Sequence, residues 1–319
     1  MQIIINPTQD EIRKAAKALK DGHLVAFPTE TVYGLGADAN NEKAVSRVYS
    51  VKGRPADHPL IVHISSTNQL DKWARDIPDY AIRLAKEFWP GPMTLILKRS
   101  ELAKDFVTGG QKNVGLRVPN HLFAQALISE FEKLGGYGLA APSANRFGAV
   151  SPTTSEAVQE ELGSFLKKGD LILDGGHSTI GVESSIIDCT KDYPVVLRPG
   201  YITAEMIKLT IDYKIPFLQG ISDVRAPGLL ESHYSPKAEV VIDSIAAPGD
   251  GLIAMANTPT PPGVIRLACP TSIEQYAREV YEALRTADKK GIKKIIAVQP
   301  KGNGLALAIR DRLGKAASR

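Results

Sequence analysis

The sequence predicts an α/β protein in two parts, and three observations carry that reading. Short apolar runs of strand length recur along the chain, and amphipathic segments with helical spacing fall between many of them. The alternation fades once, from about residue 211, before resuming. At 319 residues the chain exceeds the size at which one hydrophobic core usually keeps growing, which favours a larger domain and a smaller one. Its hydrophobic fraction of 43% and charged fraction of 23% are those of a globular protein and exclude disorder as its main character.

A first strand, Gln2 to Asn6, leads into Thr8-Gln9-Asp10-Glu11, a capping box that opens an amphipathic helix ending near Gly22. Leu24-Val25-Ala26-Phe27 is a strand that stops at Pro28. A polar loop with glycines at positions 34 and 36 is expected next, before helical spacing resumes over Glu42 to Tyr49. Further strands are expected at Leu60 to Ile64, Met93 to Lys98, Val114 to Val118, Gly138 to Ala141, Leu171 to Leu173, Ser185 to Cys189 and Val195 to Arg198. With helices between many of them, residues 1–210 make a mixed sheet. Residues 211–237 read as a linker, through Ala226-Pro227-Gly228 and His233-Tyr234-Ser235-Pro236. Residues 238–319 make a small α/β domain, with strands at Val240 to Ile242, Leu252 to Met255, Val264 to Leu267 and Lys294 to Val298. A capping box Thr271-Ser272-Ile273-Glu274 opens its helix.

A formal charge of +4 is too weak by itself to argue for nucleic acid. No apolar run approaches the roughly 20 residues that span a bilayer, and Met1 to Pro7 lacks a basic region before a long apolar stretch. A cytoplasmic protein without membrane association is expected. Cys189 and Cys269 lie far apart with no second Cys or close His to suggest a metal knuckle, so both read as buried small hydrophobes. No metal-ligand set is legible.

Four segments could carry chemistry, and each has a structural alternative. Pro28-Thr29-Glu30-Thr31 sits where a buried strand exits into a loop, the usual place for ligands in α/β sheets; a tight connection capped by Thr is the alternative. Lys52-Gly53-Arg54-Pro55 with His58 offers three potential cations suited to a polyphosphate, or simply a cationic helix end. Arg117, in the apolar run Val114 to Val118, needs a buried partner, either an internal carboxylate or that of a substrate. His63, on Leu60 to Ile64, poses the same question. Ala140 to Arg146, with Gly148 and Ser151 to Thr154, gives small residues and hydroxyls that let a nucleotide approach the backbone. There is no Walker or G-x-G-x-x-G run, and no G-x-S-x-G elbow around Ser143 or Ser184.

Together the segments PTETVYGLGADA, KGRP with HPL, PGPMTLIL, VGLRVPNH, APSANRFGAVSPTT, GVESSIID and LRPG, in this order across nearly 200 residues, resemble the threonylcarbamoyl-AMP synthase family. The likeness is to its longer form: a YrdC-like twisted mixed sheet linked to a small Rossmann-like C-terminal domain. The resemblance implies an ATP-using enzyme that makes threonylcarbamoyl-adenylate and pyrophosphate from L-threonine, bicarbonate and ATP, with Mg²⁺ on the triphosphate. A partner enzyme then transfers the threonylcarbamoyl group to an adenosine in tRNA. Carried over residue by residue, Lys52 and Arg54 are catalytic, and Thr31, His63, Arg117, Ala141 and Ser184 surround threonine. Lys52, Arg54, His58, Asn113, Ser143, Ser151, Arg198 and Tyr234 contact ATP, the last from a linker that covers the site as a lid.

Glu231 stands where relatives commonly carry basic residues, and Ser185 where Thr is usual. Two other classes are set against this reading. One is a module that binds double-stranded RNA or tRNA without chemistry, a weak affinity the enzyme could also have. The other is a carbamoyltransferase of the hydrogenase-maturation type, whose cysteine-rich zinc segments two isolated cysteines cannot supply.

Overall fold

The computed structural model describes residues 1–211, 223–228 and 234–318. Much of the segment read as linker, including His233 and Glu231, therefore lies outside the described residues.

Among the described residues the first sheet has ten strands: β1 (Gln2–Ile5), β2 (Val25–Phe27), β3 (Gly34–Asp38), β4 (Ile61–His63), β5 (Met93–Lys98), β6 (Asn113–Arg117), β7 (Leu139–Ala140), β8 (Leu171–Asp174), β9 (Ser185–Asp188) and β10 (Val195–Arg198). Their order is β1-β8-β2-β3-β7-β4-β6-β5-β9-β10. The sheet is mixed: β4 and β6 pair in parallel, whereas β3 and β7 each run antiparallel to both of their neighbours. Its helices are α1 (Gln9–Lys20), α2 (Glu42–Lys52), α3 (Leu70–Trp73), α4 (Asp79–Phe88), α5 (Asp105–Thr108), α6 (Leu122–Lys133), α7 (Ser155–Leu162) and α8 (Ala204–Ile211). A second sheet, β11 (Glu239–Ile242), β12 (Gly251–Ile253), β13 (Ile265–Ala268) and β14 (Lys294–Ala297), is wholly parallel in the order β11-β14-β12-β13. It carries α9 (Ile273–Lys289) and α10 (Leu305–Ala317).

The apolar run into β2 has no polar alternation because both faces of the sheet are covered. Val25 and Phe27 pack into a core with Ile12, Ala15 and Leu19 of α1 and Leu127 and Phe131 of α6. Leu24 and Ala26 point the other way, into a core with Val45 and Val48 of α2. The first capping box forms as expected: Thr8 N donates to Glu11 Oε2 at 2.8 Å, and Glu11 N donates to the Thr8 hydroxyl.

Three expectations need correction. Residues 34–38, read as loop, are strand β3. Their glycines answer a packing demand, since a Cβ on Gly36 would lie 2.8 Å from the Phe27 ring. The α9 cap is Ser272, one residue later than expected, and its hydroxyl accepts from Gln275 N at 3.1 Å. Cys189 is buried but Cys269 is exposed. No described helix is long and apolar enough to cross a membrane.

Candidate active site

β4 and β6 run in parallel with His63 opposite Arg117, so two polar side chains leave the sheet together at the strands' carboxyl ends. Beside them β2 exits through Pro28 to Thr31. Thr29 Oγ1 donates to Val32 O at 2.6 Å and accepts from the Thr31 and Val32 amides, both at 3.2 Å. The structural alternative therefore describes Thr29, whose hydroxyl holds the loop's shape. Thr31 stands 2.9 Å from it, Oγ1 to Oγ1, on the wall of a cleft.

The partner that Arg117 needed is Glu30. Its Oε1 lies 2.7 Å from Arg117 Nη2, a close ion pair without the alignment of a hydrogen bond. Oε2 accepts from Asn120 N at 3.0 Å, and Arg117 Nε donates to Gly91 O at 3.3 Å. Both side chains are about 6% exposed. Arg117 nevertheless lines the cleft, so the carboxylate fixes the guanidinium without withdrawing it.

His63 stands edge-on to Phe27, with ring centroids 6.0 Å apart. Burial, and then the Arg117 charge, pull its pKa down to about 3. Unfolded, the same imidazole titrates near 6.5, so the unfolded chain takes up a proton first as pH falls. The stability contributed by neutral His63 is complete above about pH 6.5 and is lost towards pH 3. The urea midpoint is expected to fall across that window, and His63→Gln to flatten the fall. An identical profile in the variant would contradict this account.

The other wall begins at the end of α2, capped by Gly53 at φ 63°. Lys52 Nζ donates to Ser143 O at 2.6 Å and Asn145 O at 2.5 Å. Burial first, and Arg54 second, hold the amine well below its usual value. Arg54 Nη2 donates to Pro59 O at 3.0 Å, and its guanidinium lies 5.7 Å from the centre of the Phe147 ring. Burial lowers it to about 10, so it remains a cation at neutral pH. His58 is lowered too, by burial and then by Arg54, which removes it from the expected trio of cations near neutrality.

Arg198, at the end of β10, closes the cleft. Its Nε and Nη2 donate to Ser184 O at 3.0 and 2.9 Å, and its Nη1 donates to Pro227 O at 2.9 Å. The Ser184 hydroxyl accepts from Arg198 Nη2 at 3.2 Å and lies 2.8 Å from Thr94 Oγ1. Gly228, at φ +78°, passes so near Tyr234 and Arg198 that a Cβ would collide with the Tyr234 hydroxyl.

The cleft encloses about 640 Å³ of atom-free space, part of it open to solvent. Of the residues singled out in the sequence, Thr31, Lys52, Arg54, His63, Arg117, Ala141, Ser143, Ser184, Arg198 and Tyr234 line it. Three do not. His58 packs behind Phe147 at 5.3 Å, the Ser151 hydroxyl donates to Glu183 Oε1 at 2.6 Å, and Asn113 begins β6, at the opposite end from Arg117. Sequence reasoning gave no role to Glu183, Phe147 and Gly228, all of which line the cleft.

No group of three or more His, Cys, Asp or Glu side chains that could hold a metal occurs among the described residues. The carboxylate in the cleft wall, Glu183, is engaged by Ser151, Tyr281 and Arg312. The described residues therefore do not build a dedicated metal site.

A family model for Sua5, YciO and YrdC, described as "Telomere recombination", matches residues 17–200. Another, described as "Threonylcarbamoyl-AMP synthase, C-terminal domain", matches residues 202–318. The chain is 41% identical to the threonylcarbamoyl-AMP synthase of Pyrococcus abyssi, over 99% of this chain and 98% of that protein. It is 39% identical to that of Bacillus subtilis, over 98% and 94%. The crystal structure of P. abyssi Sua5 complexed with L-threonine matches with a TM-score of 0.89 at 38% identity, over 99% of this chain and 97% of that one.

Proposed function

The chain belongs to the threonylcarbamoyl-AMP synthase family, and from that membership we propose how its cleft converts L-threonine, bicarbonate and ATP to threonylcarbamoyl-AMP, pyrophosphate and water. The threonine amine and bicarbonate first combine to a carbamate with loss of water. A carbamate oxygen then attacks the α-phosphorus, and pyrophosphate leaves with the electrons of the broken P–O bond. Neither step requires a covalent nucleophile from the protein, so rate depends on placement and on charge matched to the transition state.

Arg117, oriented by Glu30, takes the threonine carboxylate as a planar fork. Thr31, Ser184 and neutral His63 bond the amine and hydroxyl, and the Ala141 backbone closes that side. Lys52 and Arg54 are the catalytic cations: they meet the triphosphate and offset the charge that grows on it as pyrophosphate departs. Burial, and then Arg54, hold the Lys52 amine below its usual value, and the nucleotide's negative charge favours its charged form. Ser143, Arg198 and Tyr234 contact the rest of the nucleotide. His58 and Ser151 act from behind the wall through Phe147 and Glu183. Asn113, outside the cleft lining, is left without a role.

An ATP-using synthase of this kind works on a divalent-metal complex of ATP. We assign the metal as Mg²⁺ carried on the phosphates as part of the substrate. Residues 1–210 serve as the catalytic domain and 238–319 as a second domain, with 211–237 as the linker between them. A partner transferase passes the product's threonylcarbamoyl group to tRNA.

The observation that carries this reading is the meeting of Arg117, His63, Thr31 and Ser184 with Lys52, Arg54, Ser143 and Arg198 around one cleft. A surface that tracks RNA phosphates has no use for polar side chains buried at strand ends. Purified protein should release pyrophosphate from ATP only when L-threonine and bicarbonate are both present. Release that ignores the omission of either would sink the assignment.

A further inference from the structure

The second sheet's helices pack behind the cleft wall. Val32, Val150, Val182 and Tyr234 share one apolar cluster with Tyr276, Ala277, Val280 and Tyr281 of α9 and Ile309 and Leu313 of α10. Gly181, at φ +83°, sits so close beneath α9 that a Cβ there would collide with the backbone of Ala277 and Arg278. Two residues later comes Glu183, 7% exposed and carrying a charge that burial makes costly.

Two side chains of the second unit meet that carboxylate. Tyr281 OH donates to Glu183 Oε2 at 2.8 Å, and Arg312 Nε donates to the same oxygen at 2.8 Å. Asp311 Oδ2 lies 2.6 Å from Arg312 Nη1 and fixes the guanidinium from its outer side. The Arg312 guanidinium also lies 5.5 Å from the Tyr234 ring centre, and the Tyr234 and Tyr281 rings stack at 5.7 Å and 27°.

The arrangement matters because Glu183 faces a second cation. Arg198 is close enough to interact with it electrostatically, yet spends its donors on Ser184 O, Ser184 Oγ and Pro227 O. Without Arg312, the nearest charge able to neutralise Glu183 would be Arg198. That guanidinium would turn away from the cleft wall it now holds, and Ser184 and residues 227–228 would lose their anchor.

We infer that Tyr281 and Arg312 are positioning residues of the active site, which satisfy Glu183 and pack on Tyr234 so that Arg198 stays committed to Ser184 and Pro227. The second unit thereby sets the affinity of the cleft for both substrates and leaves the chemical step alone. Burial by itself would raise the Glu183 pKa; Arg312 and then Arg198, with the bond from Ser151, pull it to about 2 instead. The two cations together thus overcome a penalty that neither apolar neighbours nor water relieves.

The inference rests on the proposed reading of the cleft, and kinetics of the full chain separate the two. A hydrogen bond to a buried charge is worth ~10–100-fold in an equilibrium constant. Arg312→Ala should therefore raise KM for threonine and ATP at least tenfold with kcat within about threefold of wild type. Arg312→Lys, which keeps the charge, should recover most of the loss. Adding Glu183→Gln to Arg312→Ala should recover it as well, because the unpaired charge is gone. Tyr281→Phe removes only a hydroxyl and supplies a readout if Arg312→Ala fails to fold; it should raise both KM values with an unchanged thermal midpoint or a slightly lower one. Unchanged KM values in Tyr281→Phe and Arg312→Ala, no recovery in Arg312→Lys or in the Arg312→Ala/Glu183→Gln pair, or a fall in kcat alone, would overturn the inference while leaving the function intact. A wild-type protein without threonine-dependent turnover would instead remove the reading on which it stands.

Discussion

Arg117→Ala is expected to abolish threonine use at any practical concentration and to destabilise the fold at the same time. Two effects coincide because Arg117 has two partners in the proposed account: Glu30 at all times and the threonine carboxylate during turnover. Removing the guanidinium leaves Glu30 as a buried, uncompensated carboxylate, which costs ~3–5 kcal/mol of stability. It also removes the charge pair to substrate, so kcat/KM for threonine should fall by at least ~10³-fold. The double substitution Arg117→Ala with Glu30→Gln separates the effects. Stability should return towards wild type, measured by urea unfolding, while threonine use should stay lost. Recovery of both would mean that Arg117 serves only to pair Glu30.

Lys52→Ala should strike the nucleotide side. In the protein the amine bridges the carbonyls of Ser143 and Asn145, so the side chain ties the end of α2 to the segment 143–145. Losing it leaves those carbonyls without that donor and takes a cation from the departing pyrophosphate. Loss of one charge-matched donor costs ~10²–10³-fold in rate, and here the ATP dependence of pyrophosphate release should carry it, with threonine affinity changed less. Lys52→Arg should not restore activity, because a planar fork cannot make the same two bonds from a buried position 2% exposed. Full activity of Lys52→Ala would move the phosphate site elsewhere.

The α/β character was legible because strand-length apolar runs and capped amphipathic helices are local signals, and nearly every expected strand forms within a residue or two of its expected ends. β3 was missed because its glycines mimic a loop; their cause is the Phe27 ring, which is near in the sheet and distant in pattern. The cleft was legible where motif residues leave strand ends, as with Thr31, His63, Arg117 and Arg198. Ser151 stands in APSANRFGAVSPTT and Asn113 just before VGLRVPNH, yet neither lines the cleft. What no pattern could give is pairing over long separations: Glu183 with Tyr281 and Arg312, 98 and 129 residues away. Glu30 shows the same limit, since its partner became visible only when β6 was laid beside the loop after β2.

The most direct test follows the carbon of bicarbonate. Supplied with isotope-labelled bicarbonate, L-threonine and ATP, the protein should yield an adenylate that contains threonine and the label, with one pyrophosphate released for each adenylate formed. An adenylate without the label, or pyrophosphate released without any adenylate, would contradict the account.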